Sequence, residues 1–170
     1  MEFSVSYSDI SLNSENVKLS LFYGTSLFED VMPNDQKIAK RRVDTYNEST
    51  NHLFKQLVNN SLNHAKYRLF NRSAQVKEEN YLAVKDTLSL KRLTLLLNTN
   101  IDRMVGGIKK PVLGKLGVLY RKKIQSAIIF LADTFWIDQY GNISDIGKLI
   151  YTGHFGQQRI SRMLPLDFVP

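Results

Sequence analysis

The sequence predicts a mainly helical α+β fold: an amphipathic bundle of about three main helices, preceded by a β-hairpin and followed by an extended arm. Three observations carry this expectation. Apolar and polar residues alternate over residues 3–23, as in half-buried strands. Apolar residues return at three- to four-residue steps from Ile38 to Leu69 and again from Tyr120 to Phe135. The last stretch, Met163–Pro170, is apolar without a period.

In the first element Phe3, Val5 and Tyr7 alternate with serines, and Asp9 breaks the phase before Ile10 and Leu12, which predicts a bulge or bend. Asn13-Ser14-Glu15-Asn16 predicts the turn, and Val17, Leu19, Leu21 and Tyr23 resume the alternation. After Pro33, Asn34 or Asp35 can cap a long helix whose stripe is Ile38, Val43, Tyr46, Leu53, Leu57, Leu62, Ala65 and Leu69. Such a length suits a helical hairpin or an oligomer seam. A second helix is expected from Ser73, with Glu78 and Glu79 early in it, through Leu82, Leu88 and Leu93 to Leu97, ended by Asn98-Thr99-Asn100. Gly106-Gly107, Pro111, Gly114 and Gly117 predict a loop or hinge between helices.

A third helix is expected within Val118–Ile137, with Tyr120, Ile124, Ala127, Ile128, Leu131 and Phe135 on one side. A turn follows near Gly141, residues 144–151 fit a short helix or strand, and the tail is expected to lie extended across a surface. The chain is thus expected to be one domain, 1–170, with a hairpin at 3–23, a helical core at 35–137, and a turn and C-terminal arm at 138–170.

Composition bounds the function. The 170 residues are 43% hydrophobic and 23% charged, as in a folded domain, and 23 Lys and Arg against 16 Asp and Glu leave a net charge of +7, which suits an acidic partner. The absence of cysteine excludes disulfides, thiolate metal sites and thiol catalysis. The N-terminus lacks a signal-peptide pattern, and the most apolar run, Ala127–Ala132, is too short to span a bilayer, so a cytoplasmic or virion location and no membrane partner are expected.

No nucleophile-elbow, zincin, Walker or dinucleotide motif is present. His52 and His64, twelve positions apart, would point about 120° apart on one helix and cannot share a metal from one face. No catalytic residue, cofactor, metal ligand or small-molecule substrate is expected.

Two basic clusters are candidate phosphate contacts. Lys109, Lys110, Lys115, Arg121, Lys122 and Lys123 surround Pro111, Gly114 and Gly117, where glycines would let a backbone approach a phosphate and lysines would supply charge. Gly114-Lys115-Leu116-Gly117 resembles the glycine loop of KH-type RNA-binding domains, which implies a two-glycine clamp on a nucleic-acid backbone. The resemblance covers only this loop and the start of the next element.

The second cluster, Lys37, Lys40, Arg41 and Arg42, falls in the first two turns of the long helix, where the dipole disfavours positive charge by about 0.3–1 kcal/mol per site. An anion, a partner's carboxylates, or local Asp35 and Asp44 can offset that. Lys66, Arg68 and Arg72 fit the C-terminus of the same helix.

Trp136, with Phe135, Phe130 and Tyr140, fits an interface anchor, a base-stacking platform or core packing. Leu164, Leu166, Phe168 and Val169 mark an arm able to fill a groove on its own domain or on a second subunit. The function expected first is a non-enzymatic structural or adaptor subunit of a larger oligomeric assembly, such as a virion or phage particle component, with protein partners and a homo-oligomer foremost. The alternative is a nucleic-acid-binding module using the Gly/Lys-rich loop and a basic helix after it.

Overall fold

Period-two burial, not helical periodicity, runs through strands of the two larger sheets of this chain. The computed structural model describes residues 6–11, 18–23, 35–96, 101–105, 108–158 and 164–170, with side chains from residue 35 onward except at 101–105, 108–111 and 146. Among these residues are two α-helices, α1 (Gln36–Asn47) and α2 (Thr50–Val58). The strands are β1 (Ser6–Ser11), β2 (Lys18–Tyr23), β3 (Tyr67–Asn71), β4 (Ala74–Val76), β5 (Leu82–Asp86), β6 (Lys91–Leu95), β7 (Ile101–Val105), β8 (Ile108–Val112), β9 (Gly114–Tyr120), β10 (Ile124–Phe130), β11 (Thr134–Ile137) and β12 (Leu149–Gly153).

A five-stranded sheet has the order β12-β10-β9-β3-β4 and a three-stranded sheet the order β11-β6-β5, while β1–β2 and β7–β8 form separate hairpins. Every pairing is antiparallel. The expected helical bundle is therefore wrong: the fold is β-rich with two helices, and the expected helical core at 35–137 holds nine described strands against those two helices.

Each expected helix fails for a physical reason. The long helix is cut twice. Ser49 donates to Tyr46 O at 2.7 Å and accepts from His52 N at 3.1 Å, so one hydroxyl closes α1 and caps α2. Asn60 then takes φ 49° and Ser61 N returns to Gln56 O, ending α2 before Leu62, which is buried without being helical.

The expected second helix is β4, a single 3₁₀ turn at Glu78–Asn80, β5 and β6, with Leu82 and Leu93 buried from paired strands and Leu88 fully exposed at the hairpin tip. The expected third helix is β9, a turn, β10 and β11. A spacing of four residues, as in Tyr120, Ile124 and Ile128, satisfies a helical stripe and a strand face equally, because four is a multiple of two. The β1–β2 register runs unbroken through Asp9↔Ser20, so the expected bulge is absent. The expected turns at 13–16 and 98–100, and Gly106-Gly107, lie outside the described residues.

The core lies between the two larger sheets and α2. α2 contributes Leu53, Phe54, Leu57 and Val58; the large sheet Tyr67, Leu69, Leu116, Val118, Tyr120, Ile128 and Phe130; the small sheet Leu82, Leu93, Leu95, Phe135 and Ile137. Burying each such side chain contributes about 1.5–3 kcal/mol. Phe130 joins the sheets, its ring 6.4 Å from Tyr81 and 5.6 Å from Phe135.

Gly114 and Gly117 lie in strand β9, not in a phosphate-clamping loop, which corrects the KH-like expectation. A Cβ at Gly114 would lie 2.8 Å from Tyr81 Oη and 2.9 Å from a Leu95 methyl, and one at Gly117 would lie 3.3 Å from Phe70 Cβ. These glycines admit neighbouring side chains of the protein itself.

Candidate functional site

The β9–β10 connection carries three cations in a row. Lys123 N donates to Tyr120 O at 3.1 Å, and Arg121 and Lys122 between them take φ 49° and 60°, which makes a type I′ turn. Such turns favour Asn-Gly, because a side chain in the left-handed region costs about 1–2 kcal/mol per residue. Here both positions are basic, and Arg121, Lys122 and Lys123 are all exposed.

Strand register brings two further cations to the same end of the sheet. Arg121 N donates to Lys66 O at 2.7 Å, and Tyr67↔Tyr120 and Arg68↔Leu119 pair β3 with β9. Arg68 is exposed on the outer face and Lys66 is half-buried. None of Lys66, Arg68, Arg121, Lys122 and Lys123 is ion-paired among the described residues, whereas Glu78, Glu79, Asp86 and Asp145 all are. The Arg121 guanidinium lies 5.2 Å from the Tyr120 ring centroid, a cation–π contact that holds it beside the turn.

α1 approaches this end by one stripe. Lys37, Arg41, Asp44 and Glu48 follow at steps of four, three and four, which places them on one helical face. Burial chiefly raises the pKa of the Tyr120 hydroxyl; Arg121 lowers it, and the charges of Glu48 and Asp44 add to the rise, so the acidic half of the stripe adjoins Tyr120. Arg41 and Lys37 continue the stripe away from it. Glu48 also meets His154, Oε2 to Nε2 at 3.3 Å, and its carbonyl accepts from Gln158 Nε2 at 3.1 Å, so the chain after β12 is tied to the α1–α2 junction.

Beneath the turn a buried network fixes one histidine. Tyr67 Oη donates to Asn47 O at 2.8 Å; His52 Nδ1 lies 3.0 Å from Tyr67 Oη and 3.2 Å from Asn47 O, so Nδ1 carries a proton. Gln56 Oε1 accepts from Asn63 N at 3.1 Å, which turns the Gln56 amide nitrogen toward His52 Nε2 at 2.8 Å. Nε2 is therefore an acceptor, and His52 is held neutral.

Burial lowers the His52 pKa, with Lys66 and Lys55 adding to the shift and the Asn47 carbonyl opposing it. Below about pH 6.5 the unfolded chain takes up a proton that the native state resists, so stability falls as pH drops through this region, by up to about 1.4 kcal/mol per pH unit. Gln56→Glu would give the imidazolium an acceptor at Nε2 and is expected to shrink or reverse the fall. Urea unfolding at about pH 7.5 and about pH 5.5 measures this; equal pH responses of the two proteins would contradict the assignment.

Of the other residues singled out from the sequence, Lys115 is exposed at the opposite end of β9, paired with Ile129, and does not join the turn. Lys109 and Lys110 lie on β8, with side chains outside the described residues. Lys37, Lys40 and Arg41 are exposed, and Arg42 is half-buried and engaged. Asp35 is the N-cap, accepting from Lys37 N at 2.7 Å and Ile38 N at 3.2 Å, so its charge answers the cost of cations near the helix start.

Phe130 and Phe135 are core, Tyr140 is half-buried, and Trp136 is exposed. In the arm, Phe168 packs 5.8 Å from the Tyr46 ring, Leu166 O accepts from Asn142 Nδ2 at 3.0 Å, Leu164 is half-buried, and Leu166 and Val169 are exposed. Sequence reasoning missed Lys66 and Arg68 as partners of the turn, because only strand register unites them.

A cleft lies between Val58, Asn59, the Asp86–Lys91 hairpin tip and Ile137–Tyr140. Its carboxylates are engaged, Asp86 with Lys91 and Asp138 with the backbone of Tyr140 and Asn142. No group of three or more His, Asp or Glu able to hold a metal occurs among the described residues, and no described helix is long and apolar enough to cross a membrane. No family model, curated protein or solved structure matches the chain.

Proposed function

We propose that the protein is a non-enzymatic nucleic-acid-binding module whose contact surface is the cationic end of the five-stranded sheet: Lys66, Arg68, Arg121, Lys122 and Lys123. The observation that carries this reading is the β9–β10 turn, where exposed cations without carboxylate partners occupy a left-handed backbone better suited to Asn-Gly. Backbone strain retained at an exposed charged turn points to a use for the side chains it presents. The contact differs from a Gly/Lys loop before a basic helix: it is a basic hairpin turn backed by a cation-bearing strand.

Binding of a fluorescein-labelled, mixed-sequence single strand, followed by anisotropy, tests the reading. Saturable binding at low salt that weakens steeply as salt rises supports it, and no binding at low salt overturns it.

A role as a subunit of a larger oligomer, of the virion or phage-particle kind, is a second reading supported by the arm. Leu166 and Val169 are 69% and 56% exposed beside the docked Phe168, leaving apolar surface for a second copy. Light scattering decides it: a monomer whose size and stability are unchanged by removing residues 164–170 would sink this reading.

A further inference from the structure

The outer face of the three-stranded sheet bears a second arrangement of aromatic and cationic groups, on a different sheet from the β9–β10 turn. Its inner face is set by Leu82, Leu93, Leu95, Phe135 and Ile137. Alternation therefore turns Trp136, Arg92 and Lys85 to the other side, and the register Trp136↔Arg92 and Lys85↔Arg92 sets them side by side across all three strands. Cross-strand neighbours of this kind stand about 4.5–5.5 Å apart at Cβ.

Trp136 is 39% exposed, Lys85 is exposed and Arg92 is half-buried with its Nε lacking any hydrogen-bond partner. Neither cation is paired with a carboxylate among the described residues; Asp86 and Lys91, on the opposite face, pair with each other at 3.1 Å. The next row, Thr134, Thr94 and Ala83, is small, so the indole stands beside a low floor.

An exposed indole in line with two unpaired cations and flanked by small residues matches an unstacked nucleobase and its phosphate. A protein hot spot would surround the ring with apolar neighbours, and a lipid surface would need more apolar area than one ring. We infer that this face is a second contact for single-stranded nucleic acid, on which Trp136 stacks a base while Arg92 and Lys85 meet the phosphates. The inference rests on the nucleic-acid reading above and adds to it a preference for single strands over duplex, because paired bases do not offer their faces.

Trp136 is the only tryptophan in the chain, so indole emission reports on this face alone. The intact protein is titrated with a mixed-sequence single strand, with the same sequence as duplex, and with inorganic polyphosphate, while strand binding is followed separately by anisotropy. Quenching by the single strand and not by duplex or polyphosphate is expected. Trp136→Ala should weaken single-strand binding by about 5- to 150-fold, the worth of one stacked base, with duplex and polyphosphate affinities unchanged, and Trp136→Phe should recover part of the loss.

A strand that binds by anisotropy without altering Trp136 emission, and equally well to Trp136→Ala, overturns the inference and leaves the cationic turn standing. A strand that does not bind at low salt overturns both. Emission that changes with protein concentration alone would give the face to a protein contact instead.

Discussion

Replacing Arg121, Lys122 and Lys123 together with glutamine is expected to flatten the salt dependence of single-strand binding while leaving the fold intact. Each phosphate neutralised contributes about −0.7 to the slope of log affinity against log salt for a single strand, so seven contacts, five at the cationic end and two on the outer face of the small sheet, give about −4.9 and the four that remain about −2.8. Between roughly 50 and 200 mM salt the native protein should lose about 900-fold in affinity and the variant only about 50-fold. Stability should move by no more than about 1 kcal/mol, because all three side chains are exposed, glutamine inherits the same left-handed backbone at positions 121 and 122, and the loss is confined to the Arg121–Tyr120 cation–π contact. Lys115→Gln serves as the control: at the other end of β9, it should leave the slope of the turn's contact nearly untouched. A triple variant with the native slope would remove the turn from the contact.

The second large effect concerns folding. Gly141 takes φ +90° in the turn that Asp138 closes by accepting from Tyr140 N and Asn142 N, and this turn packs against the backbone of α2. A Cβ there would overlap the Asn51 carbonyl oxygen and lie 2.8 Å from Asn51 C and 3.0 Å from Lys55 N. The helix cannot yield, since Leu53, Phe54 and Leu57 on its other side are 0–2% exposed in the core.

Gly141→Ala is therefore expected to cost more than about 3 kcal/mol, from a left-handed penalty of about 1–2 kcal/mol plus the overlap, a large fraction of the 5–15 kcal/mol typical of a domain. Gly147→Ala, where an added Cβ would meet nothing closer than 3.9 Å, should be nearly neutral. Urea unfolding of the two variants gives the comparison, and a Gly141→Ala loss below about 1 kcal/mol would contradict this packing.

The limits of the sequence are visible at particular residues. Asp35 as a helix cap was legible because its role is local, as was a turn around Gly141. The break at Ser49 was not, since Tyr46, Leu53 and Leu57 keep helical phase across it: the stripe continues because both helices face the same core. In β9 and β10 the four-residue spacing hid the period of two. Three consecutive cations between alternating stretches, Leu116-Val118-Tyr120 on one side and Ile124-Ile128-Phe130 on the other, were the available hairpin signal.

The basic residues of the turn were named from the sequence, but as the surface of a helix, and the glycines beside them were assigned to phosphate when they serve Tyr81, Leu95 and Phe70. Lys66 and Arg68 reach the turn through Tyr67↔Tyr120, a pairing between distant parts of the chain that no local pattern encodes. The exposure of Trp136, by contrast, follows from simple alternation between buried Phe135 and Ile137 once β11 is known to be a strand.

The most direct test of the account is a map of the contact. Amide resonances of the ¹⁵N-labelled protein, followed as a short mixed-sequence single strand is added at low salt, should shift first and furthest at Lys66–Arg68 and Tyr120–Ile124, and the shifts should reverse as salt is raised. Shifts confined to the arm at 164–170, or spread evenly over the surface with the β9–β10 turn unmoved, would contradict it.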